Sequence, residues 1–567
     1  MPPKDEPLTA SSRRWPLASK RSHLWLLATL AVALIYYWPV VQAAFSAADV
    51  VQDDARQHVF WMQRYLDPAL FPNDLIADYF QAVAPPGYRA LYWFAAQLGL
   101  SPLLLHKLLP LPLLLLSAGL CFVLTQRLSH RPMAAAIAAL LLTQGLSLTD
   151  AIVSATPKAF LYPLLLGFLY CLACGWRWGT AVLVALQGLF YPQLVLIAVV
   201  VLALRLVDWR RFPQWGLAPR GHWVTAFVGM AAAVAVLLPY ALQSHGYGPT
   251  LTLTAARSLP EMAMPGSRAQ FFVADPATYW LEGRSGLRLA TALTPVTNSL
   301  GLLLPFLVHR QRRRPSGLGL LLQVAFASLI MFAIAHLLLF RLHLPSRYTQ
   351  HSLRVVFSIA AAIAIVTLVP SGWRWAKRRW QRGLVLAFSA VLAAVVLLYP
   401  LTTGGPVTAY QVGQAAPLYH FLRQQPAETL VASLSPEANN LPSFTGRSIL
   451  VGEEYLIPYH TGYYRQMRDR ARRLIEAQYS PDPQLLQQFI RDYGVTHWLL
   501  DGNAFKPAYR QNNGLIQLIP DAAIAPEQTP LLQRIVRTEI CTASRYRNRR
   551  LLDAPCIVQQ TSQLSNP

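Results

Sequence analysis

Apolar stretches of about 20 residues recur along this chain, and they restrict its fold more than any other feature. The sequence has 567 residues, of which 54% are hydrophobic and only 13% are charged. Each stretch is long enough to cross a bilayer core of about 30 Å. In lipid such a segment must be helical, because every backbone N–H and C=O needs a partner within its own segment. The sequence therefore predicts an α-helical polytopic membrane protein.

We predict about 11 transmembrane helices in a membrane domain at residues 23–401. The long apolar stretch 177–207 is divided after Tyr191, because Pro192 cannot donate a backbone hydrogen bond and disfavours helical conformation in the residue before it. The predicted spans are 23–45, 103–126, 132–148, 156–175, 177–190, 192–207, 222–243, 289–309, 318–340, 351–370 and 383–401.

The net charge of +23 is explained by the orientation of the chain in the membrane and does not indicate nucleic-acid binding. Lys and Arg gather in alternate loops, and this positive-inside distribution assigns those loops to the cytoplasm, beside anionic lipid. The predicted location is a bacterial cytoplasmic (inner) membrane, with the basic tail 1–22 in the cytoplasm and residues 402–567 in the periplasm. The basic segments are 1–22, 127–131, 177, 205–220, 310–314 and 374–382.

The outer side carries three loops and a predicted small C-terminal extracytoplasmic α/β domain. The loops are 46–102, 244–288 and 341–350, and helical spacing predicts a helix over 52–66 in the first of them. Beyond residue 402 no further span occurs, and strands alternate with helices, which is typical of an α/β domain. The predicted strands are 429–434, 448–452 and 495–500, and the predicted helices are 465–479 and 483–493.

Cys541 and Cys556 are the only cysteines in residues 402–567. An even pair of cysteines in an oxidising compartment predicts a disulfide. In the chain-entropy model a loop of this length is worth roughly 3 kcal/mol.

The first outer loop begins with Asp53-Asp54, just beyond the first predicted span. A carboxylate at the membrane surface can take the proton from an acceptor hydroxyl, or it can bind a metal. Adjacent side chains on a helix diverge by about 100°, so we expect only one of the two to face a central cavity. The structural alternative is a solvated helix N-terminus, where acidic side chains interact favourably with the helix dipole.

The third outer loop contributes a basic set. Arg347 and Arg354 are about two helical turns apart, so they share one face once the helix begins, and His351 lies between them on that face. Guanidinium groups bind phosphate or diphosphate through paired hydrogen bonds. Tyr348 adjoins this set as a further substrate-binding candidate. The alternative is that these cations extend to lipid headgroups at the interface.

Two further candidates for substrate binding lie at other outer turns. Lys158 follows Thr156-Pro157 at the outer start of a span, where it can contact an anion. Gln193 belongs to the Tyr191–Gln193 turn, which can equally be only a structural break. The second outer loop mixes charges with aromatic side chains, which suits either headgroup binding or an interfacial belt. These residues are Arg257, Glu261, Arg268, Tyr279, Trp280, Glu282 and Arg284.

Several signatures of other functions are missing from the sequence. It contains no Walker loop, no dinucleotide-binding glycine signature, no H-E-x-x-H and no Cys/His cluster with metal-ligand spacing. Few charges lie in the middles of the spans, so no path for ion-coupled transport is evident. The tail segment 437–464 matches no catalytic motif.

The layout resembles the GT-C superfamily of integral-membrane glycosyltransferases, which use polyprenyl-phosphate sugars and act on the non-cytoplasmic side. The resemblance rests on Asp53-Asp54 after the first span, the proline turn Tyr191–Gln193, the late basic loop at Arg347 and the trailing α/β domain. It implies that Asp53 or Asp54 is the general base. It also implies that Lys158, Arg347 and Arg354 hold the lipid phosphate.

Two functions follow from these observations. The first is a glycosyltransferase that moves a sugar, by inverting displacement, from a polyprenyl-phosphate donor to an acceptor on the outer face of the membrane. Its partners are the lipid-linked sugar and the bilayer; no metal ligands are assigned, and a divalent metal stays open as a cofactor. The alternative is a lipid-linked saccharide transporter or a non-catalytic envelope-assembly protein. Charges on one outer rim favour the enzyme, and charges through the membrane depth favour the transporter.

Overall fold

The computed structural model describes residues 19–208, 216–242, 246–309, 318–402, 404–524 and 528–565. Seven helices in these ranges are long and apolar enough to cross a membrane, and three shorter apolar helices accompany them. The long helices are Lys20–Ala44, Pro102–Ser129, Pro157–Cys174, Arg220–Leu242, Gly319–Leu337, Pro345–Trp375 and Arg379–Tyr399. The shorter ones are Pro132–Ser147, Pro192–Leu204 and Val296–Leu307. The chain is thus a mostly helical, multi-pass membrane protein, and the count of eleven spans stays a prediction.

Burial separates central helices from peripheral ones. In the segment Pro345–Trp375, 83% of an apolar 18-residue stretch is buried inside the protein. In the helix Arg379–Tyr399, only 6% of the corresponding stretch is buried. Two glycines allow close helix contacts, as is common in membranes. A Cβ at Gly188 would lie 2.4 Å from a methyl of Val236, and one at Gly301 would lie 3.1 Å from the Cβ of Ala360.

Proline interrupts the helix in two of the predicted apolar stretches. The predicted break at Tyr191 is confirmed, since one helix covers Arg177–Phe190 and the next covers Pro192–Leu204. The span predicted over 289–309 is not one continuous helix. The chain there forms Leu289–Ala292, the 3₁₀ segment Val296–Leu303 and Leu304–His309. Pro295 lies at the interruption, where it removes a backbone donor.

The helix predicted over 52–66 is present as two short pieces, Ala55–His58 and the 3₁₀ helix Phe60–Tyr65. It begins later than predicted, because Val50–Gln52 form strand β1, which pairs antiparallel with strand β2, Tyr410–Val412. This partner lies far along the chain, so local helical spacing does not reveal it. The rest of the first two outer loops consists of short helices. They are Ala55–His58, Phe60–Tyr65, Leu75–Val83, Pro86–Gln97, Leu253–Arg257, Pro260–Ala263 and Thr278–Glu282.

The C-terminal part contains a five-stranded sheet in the order β4-β3-β5-β7-β6. Strands β3, β4 and β5 are parallel, and β7 joins β5 and β6 antiparallel. The strands are β3 Leu430–Ser433, β4 Ser448–Ile449, β5 His497–Asp501, β6 Thr542–Tyr546 and β7 Arg549–Asp553. The helices are Ala416–Arg423, Leu441–Thr445, Thr461–Tyr479, Pro483–Tyr493, Pro507–Asn512, Gly514–Leu518, Leu531–Thr538 and Ala554–Ser565.

The predicted strands 429–434, 448–452 and 495–500 therefore exist, with shifted or shorter bounds, as do both predicted helices. The predicted disulfide is confirmed, with the Cα atoms of Cys541 and Cys556 5.4 Å apart. The division into 1–22, 23–401 and 402–567 stays a prediction. Three parts of the predicted basic segments, 1–18, 209–215 and 310–314, lie outside the described residues.

Candidate active site

A cavity of about 960 Å³ opens where the outer loops meet the segment 457–460 of the C-terminal part. All eight sequence-predicted site residues line it, although they come from four separate stretches of the chain. They are Asp53, Asp54, Lys158, Gln193, Arg347, Tyr348, His351 and Arg354. Only the folding of the chain brings these side chains together.

Both aspartates face the cavity, so the expectation that only one would do so is wrong. The reason is local, because the helix begins only at Ala55 and both residues precede it. The backbone N–H of Asp53 donates to the carbonyl of Ala409 at 3.0 Å, which continues the β1–β2 pairing. Gln411 Nε2 also donates to Asp53 Oδ1 at 3.3 Å. Strand β2 therefore positions Asp53.

Arg268 joins the two aspartates to a third carboxylate. Its Nη1 lies 3.0 Å from Asp53 Oδ2 and 3.5 Å from Asp54 Oδ1, and its Nη2 contacts Glu454. Arg56 makes a second bridge, from Asp53 to Glu454 at 2.8 Å. Glu454 is almost fully buried, with 5% of its side chain exposed. We call these five residues the acidic cluster.

Lys158 extends the acidic cluster into the membrane domain. Its Nζ contacts Asp54, and it lies 2.8 Å from Asp150 Oδ2. Burial alone would raise the pKa of Asp54, but the fields of Lys158 and Arg268 outweigh burial and hold that pKa well below its usual range. Asp54 is thus a carboxylate anion across the ordinary pH range. Lys158, predicted as a phosphate ligand, already has two carboxylate partners.

Arg347 lines the same cavity and belongs to the 3₁₀ turn Pro345–Tyr348. Its Nη1 donates to the hydroxyl of Tyr191 at 3.2 Å. Tyr348 is fully buried and donates to the carbonyl of Leu342 at 2.9 Å, so its hydroxyl holds the loop. The turn Tyr191–Gln193 is therefore more than a helix break, because Tyr191 orients a cavity arginine.

Arg354 has a different setting from Arg347. The long helix begins at Ser352, after the turn that carries Arg347, so the two arginines do not share the predicted helical face. Arg354 is 1% exposed and donates to Thr291 O at 3.0 and 3.1 Å and to the Tyr162 hydroxyl at 3.0 Å. That hydroxyl lies 2.9 Å from His351 Nδ1. Most donors of Arg354 thus bind the protein itself.

Several cavity residues were not predicted from the sequence, or their role was left open. Arg268 and Arg284 were among the mixed charges of the second outer loop, and Glu454 lay in the unmatched segment 437–464. Arg288 and His343 carried no signal, because each depends on a left-handed backbone, with φ of 56° and 64°. Such conformations in non-glycine residues gather at functional sites. His58, Tyr459 and His460 also line the cavity.

The carboxylates of the cavity are arranged around cations. Among the described residues, no group of three or more His, Cys, Asp and Glu side chains is placed to hold a metal ion. Arg268 lies between the three carboxylates that would have to share one. The arrangement therefore does not fit a bound divalent metal.

Solved structures with a similar fold are membrane glycosyltransferases. The apo Archaeoglobus fulgidus oligosaccharyltransferase matches with a TM-score of 0.53 and 12% identity, over 90% of this chain and 75% of that chain. The archaeal oligosaccharyltransferase AglB from the same organism, in complex with an inhibitory peptide and a dolichol-phosphate, matches with a TM-score of 0.53 and 12% identity, over 89% and 72%. A variant of arabinofuranosyltransferase AftD from Mycobacteria matches with a TM-score of 0.50 and 12% identity, over 94% of this chain but 41% of that one.

No protein-family model and no curated protein matches the sequence. The likeness to these structures thus rests on the arrangement of elements. This chain has the fold of the GT-C membrane glycosyltransferases, as its sequence layout predicted.

Proposed function

We propose that this chain, with its GT-C fold, transfers a sugar from a polyprenyl-phosphate donor to an acceptor hydroxyl on the outer face of the membrane. One observation carries the proposal. Asp53 and Asp54 line the same cavity as Arg347, so groups that suit a base and a phosphate ligand face one space. The AglB structure with a bound dolichol-phosphate supports a lipid phosphate as the partner of this fold.

The acidic side of the cavity supplies the base. An acceptor hydroxyl is a poor nucleophile near neutral pH, and a positioned carboxylate speeds its attack by about 100- to 10,000-fold. The hydroxyl proton moves to Asp53 or Asp54 as the acceptor oxygen bonds to the sugar carbon. Arg56, Arg268 and Lys158 hold these carboxylates in place at the cavity wall.

The basic side of the cavity receives the leaving group. As the sugar carbon parts from the phosphate oxygen, the electron pair stays on that oxygen and negative charge grows there. Arg347 offers a guanidinium that is fixed by Tyr191, and fixed donors in a partly dry site stabilise such charge strongly. Arg354 acts mainly by holding Tyr162 and, through it, His351.

The lipid part of the donor has an apolar wall beside it. Leu196 and Leu237 line the cavity and belong to the helices Pro192–Leu204 and Arg220–Leu242. The second of these helices is poorly covered by the protein, with 17% of its apolar window buried. A polyprenyl chain can therefore reach the cavity sideways from the bilayer, as this reaction requires.

The membrane side of the cavity forms part of the same proposal. We assign the N-terminus to the cytoplasm and the C-terminal α/β part to the periplasm of a bacterial inner membrane. The positive-inside pattern supports this orientation, and the Cys541–Cys556 disulfide suits an oxidising compartment. Reporter fusions after Arg382 and after Leu401 should score cytoplasmic and periplasmic, and a cytoplasmic score for the second would remove the proposal.

The experiment that tests the function follows the donor. The purified chain in lipid nanodiscs is incubated with a panel of prenyl-phosphate-linked sugars, and release of the prenyl phosphate is measured by mass spectrometry. We expect release by the wild type and its loss in Asp54→Asn. Donor that binds but is never cleaved, in the presence of a broad panel of acceptors, would favour the transport or assembly alternative.

A further inference from the structure

A second pocket, of about 250 Å³, lies where the first outer loop meets the sheet of the C-terminal part. It shares no lining residue with the cavity described above. Its walls come from the loop 72–74, the starts of the parallel strands β3 and β4, and two helices of the C-terminal part. We call it the outer pocket. Its polar members are Asn73, Asp74, Glu428, Ser448, Arg470 and Tyr493.

The loop that forms one wall of the outer pocket has a strained backbone. Phe71 and Asn73 both adopt the left-handed conformation, with φ of 57° and 52°. Residues with a side chain rarely adopt it, and bulky ones such as Phe71 least of all. Arg64 holds the loop by donating to the carbonyl of Leu70 at 3.2 Å and to that of Phe71. Strain of this kind gathers at ligand sites, and here it brings Asp74 into the pocket wall.

Asp74 and Ser448 leave hydrogen-bonding capacity on the pocket wall. Asp74 Oδ1 caps the helix Leu75–Val83, because it accepts from the N–H groups of Ile76 and Ala77 at 2.8 and 3.1 Å. The Ser448 hydroxyl lies beside the same carboxyl. That hydroxyl is buried and forms no hydrogen bond of ordinary geometry within the described residues. Such groups are rare in folded proteins, so the pocket offers a place for a polar atom of a ligand.

Arg470 is the cation of the outer pocket. It donates to the carbonyl of Leu450 at 3.3 Å, and it forms no ion pair within the part of the chain that the structure describes. A guanidinium has five N–H donors, so most of them are left for water or a ligand. Burial lowers the pKa of Arg470 and raises that of Asp74. Both groups are therefore partly shielded from water, where a hydrogen bond to a ligand is stronger.

The mixture of charges in the outer pocket selects the kind of ligand. Asp74 and Glu428 outnumber Arg470, which disfavours phosphate and other small anions. Among the described residues no group of three His, Cys, Asp and Glu side chains could hold a metal ion, and Arg470 beside Asp74 disfavours a cation. A neutral polyhydroxyl ligand matches both signs, since each hydroxyl donates to a carboxylate and accepts from a guanidinium.

The size of the outer pocket narrows the ligand further. Pockets for drug-sized molecules usually measure about 300–1,000 Å³. A pocket of about 250 Å³ therefore suits one compact ring rather than a stretch of peptide. Tyr493 adds an aromatic wall to the polar groups, which suits a ring with both apolar and polar faces.

We infer that the outer pocket binds one sugar unit of a glycan and, resting on the proposed function, that this glycan is the acceptor. The helix Thr461–Tyr479 carries Arg470 and directly follows Tyr459 and His460, which line the cavity. A helical rise of about 1.5 Å per residue separates His460 from Arg470 by about 15 Å. The acceptor thus has its reacting end in the cavity, while a sugar further along its chain occupies the outer pocket.

A second helix fixes the spacing between the two pockets. Asp74 caps Leu75–Val83, and this helix lines the cavity through Tyr79, Phe80 and Val83. Because the spacing is fixed, a glycan gains from both pockets only when it is long enough to reach them together. A glycan of several linked sugars is therefore the expected acceptor, and a single sugar is a poor one.

The first experiment uses the wild-type chain in fluorescent nanodiscs on a printed array. The array carries neutral glycans from monosaccharides to hexasaccharides, built from hexoses, pentoses and N-acetyl amino sugars, with sugar phosphates and acidic peptides beside them. We expect binding to a subset of the longer neutral glycans. Binding to no glycan, or a preference for the phosphates or peptides, would overturn the inference.

The second experiment assigns the outer pocket. Arg470→Gln and Glu428→Gln should each weaken the best-bound glycan by about tenfold or more, because each removes a charged hydrogen-bonding partner. Glu428 is exposed, so its variant should fold even if Arg470→Gln proves unstable. The matched control is Arg465→Gln, an exposed arginine on the same helix that does not line the pocket. Unchanged affinity in both pocket variants, or equal weakening by the control, would contradict the assignment.

Donor cleavage separates this inference from the proposed function. Arg470→Gln and Glu428→Gln should raise the KM for a long glycan acceptor by about tenfold and leave cleavage with a monosaccharide acceptor unchanged. Prenyl-phosphate release by a wild type that binds no glycan would overturn the outer pocket and leave the proposed function standing. Glycan binding that depends on Arg470, without any donor cleavage, would overturn the proposed function and the acceptor role but leave the sugar site.

Discussion

The two sides of the cavity hold charge in opposite ways. In the acidic cluster every carboxylate has a cation beside it, and Arg268 serves three of them. The cavity arginines Arg284, Arg288 and Arg347 differ, because within the described residues their guanidiniums bind only neutral oxygens. The carboxylates are therefore held by cations of the protein, whereas these arginines are not neutralised by an ion pair. On the proposed function, the protein preorganises its base and leaves its phosphate ligands to be engaged by the substrate.

The largest expected effect tests the base. Asp53→Asn or Asp54→Asn, whichever removes the general base, should reduce turnover by about 100-fold or more, because a general base contributes about 100- to 10,000-fold. Donor cleavage in nanodiscs is the measurement. Asp78→Asn is the control, since Asp78 pairs with Arg64 at 2.7 Å in the same outer loop and does not line the cavity. Full activity in both aspartate variants would remove the acidic cluster from the mechanism.

The second prediction compares how much two cavity arginines, Arg268 and Arg347, contribute to the stability of the fold. Arg268→Gln should destabilise the fold by about 3 kcal/mol, because it leaves the buried Glu454 and two aspartates short of a cation. Arg347→Gln should cost much less stability, since within the described residues its guanidinium binds the neutral Tyr191 hydroxyl and forms no ion pair. Thermal unfolding of both variants in the same detergent makes the comparison. A larger loss in Arg347→Gln would contradict the contrast between the two sides of the cavity.

The third prediction concerns pH. Burial lowers the pKa of His58 from 6.5 to about 4; Asp54 opposes this shift, while Lys158, Arg268 and Arg347 add to it. The unfolded chain takes up this proton near 6.5 and the folded chain only near 4. Stability that is full above pH 6.5 is therefore lost progressively as the pH falls toward 4. Asp54 stays ionised in this window, because its pKa is lower still.

The measurement is the unfolding midpoint between pH 7 and 4 for wild type and His58→Asn, in buffers of matched ionic strength. These two values of pH bracket the range set by the pKa of His58. The variant should show a flatter dependence, because it has no imidazole to protonate. Parallel curves for the two proteins would assign the acid sensitivity elsewhere.

The smallest expected effect concerns the hydrogen bond between Arg347 and Tyr191. Tyr191→Phe removes the hydroxyl that accepts from Arg347 at 3.2 Å. A hydrogen bond to a charged group contributes about 1.5–3 kcal/mol, and the flexible arginine recovers part of this by contacting the ligand directly. We expect donor affinity to fall by several-fold, with turnover at saturating donor little changed. A large fall in turnover would give Tyr191 a role beyond positioning.

The features that could be predicted from the sequence are those that depend on residues close together in the chain. The break before Pro192 and the helix Pro483–Tyr493 follow from neighbouring residues, and both were predicted. The candidates Asp53, Lys158 and Arg347 could be picked because charges at the ends of apolar spans are conspicuous. Their convergence on one cavity needed the fold.

The missed features share a different cause. Strand β1 forms because it meets β2, and Gln411 is 358 residues from the aspartate it contacts. Arg268 and Glu454 meet the aspartates from two other regions, and nothing in the spacing of either region indicates this. Arg288 and His343 depend on left-handed backbones without a glycine to mark them. Local patterns therefore identified the charges but could not indicate which charges would be neighbours.

The pairing of β1 with β2 also bears on how the protein is made. Residues Tyr410–Val412 follow the last apolar helix, Arg379–Tyr399, so they are synthesised after the whole membrane part. Asp53 cannot take its hydrogen bond from Ala409 or its contact with Gln411 before then. Biogenesis thus has a built-in order: the ribosome must finish the membrane part before the first loop can acquire its final shape, and a half-inserted chain lacks the contacts that position Asp53.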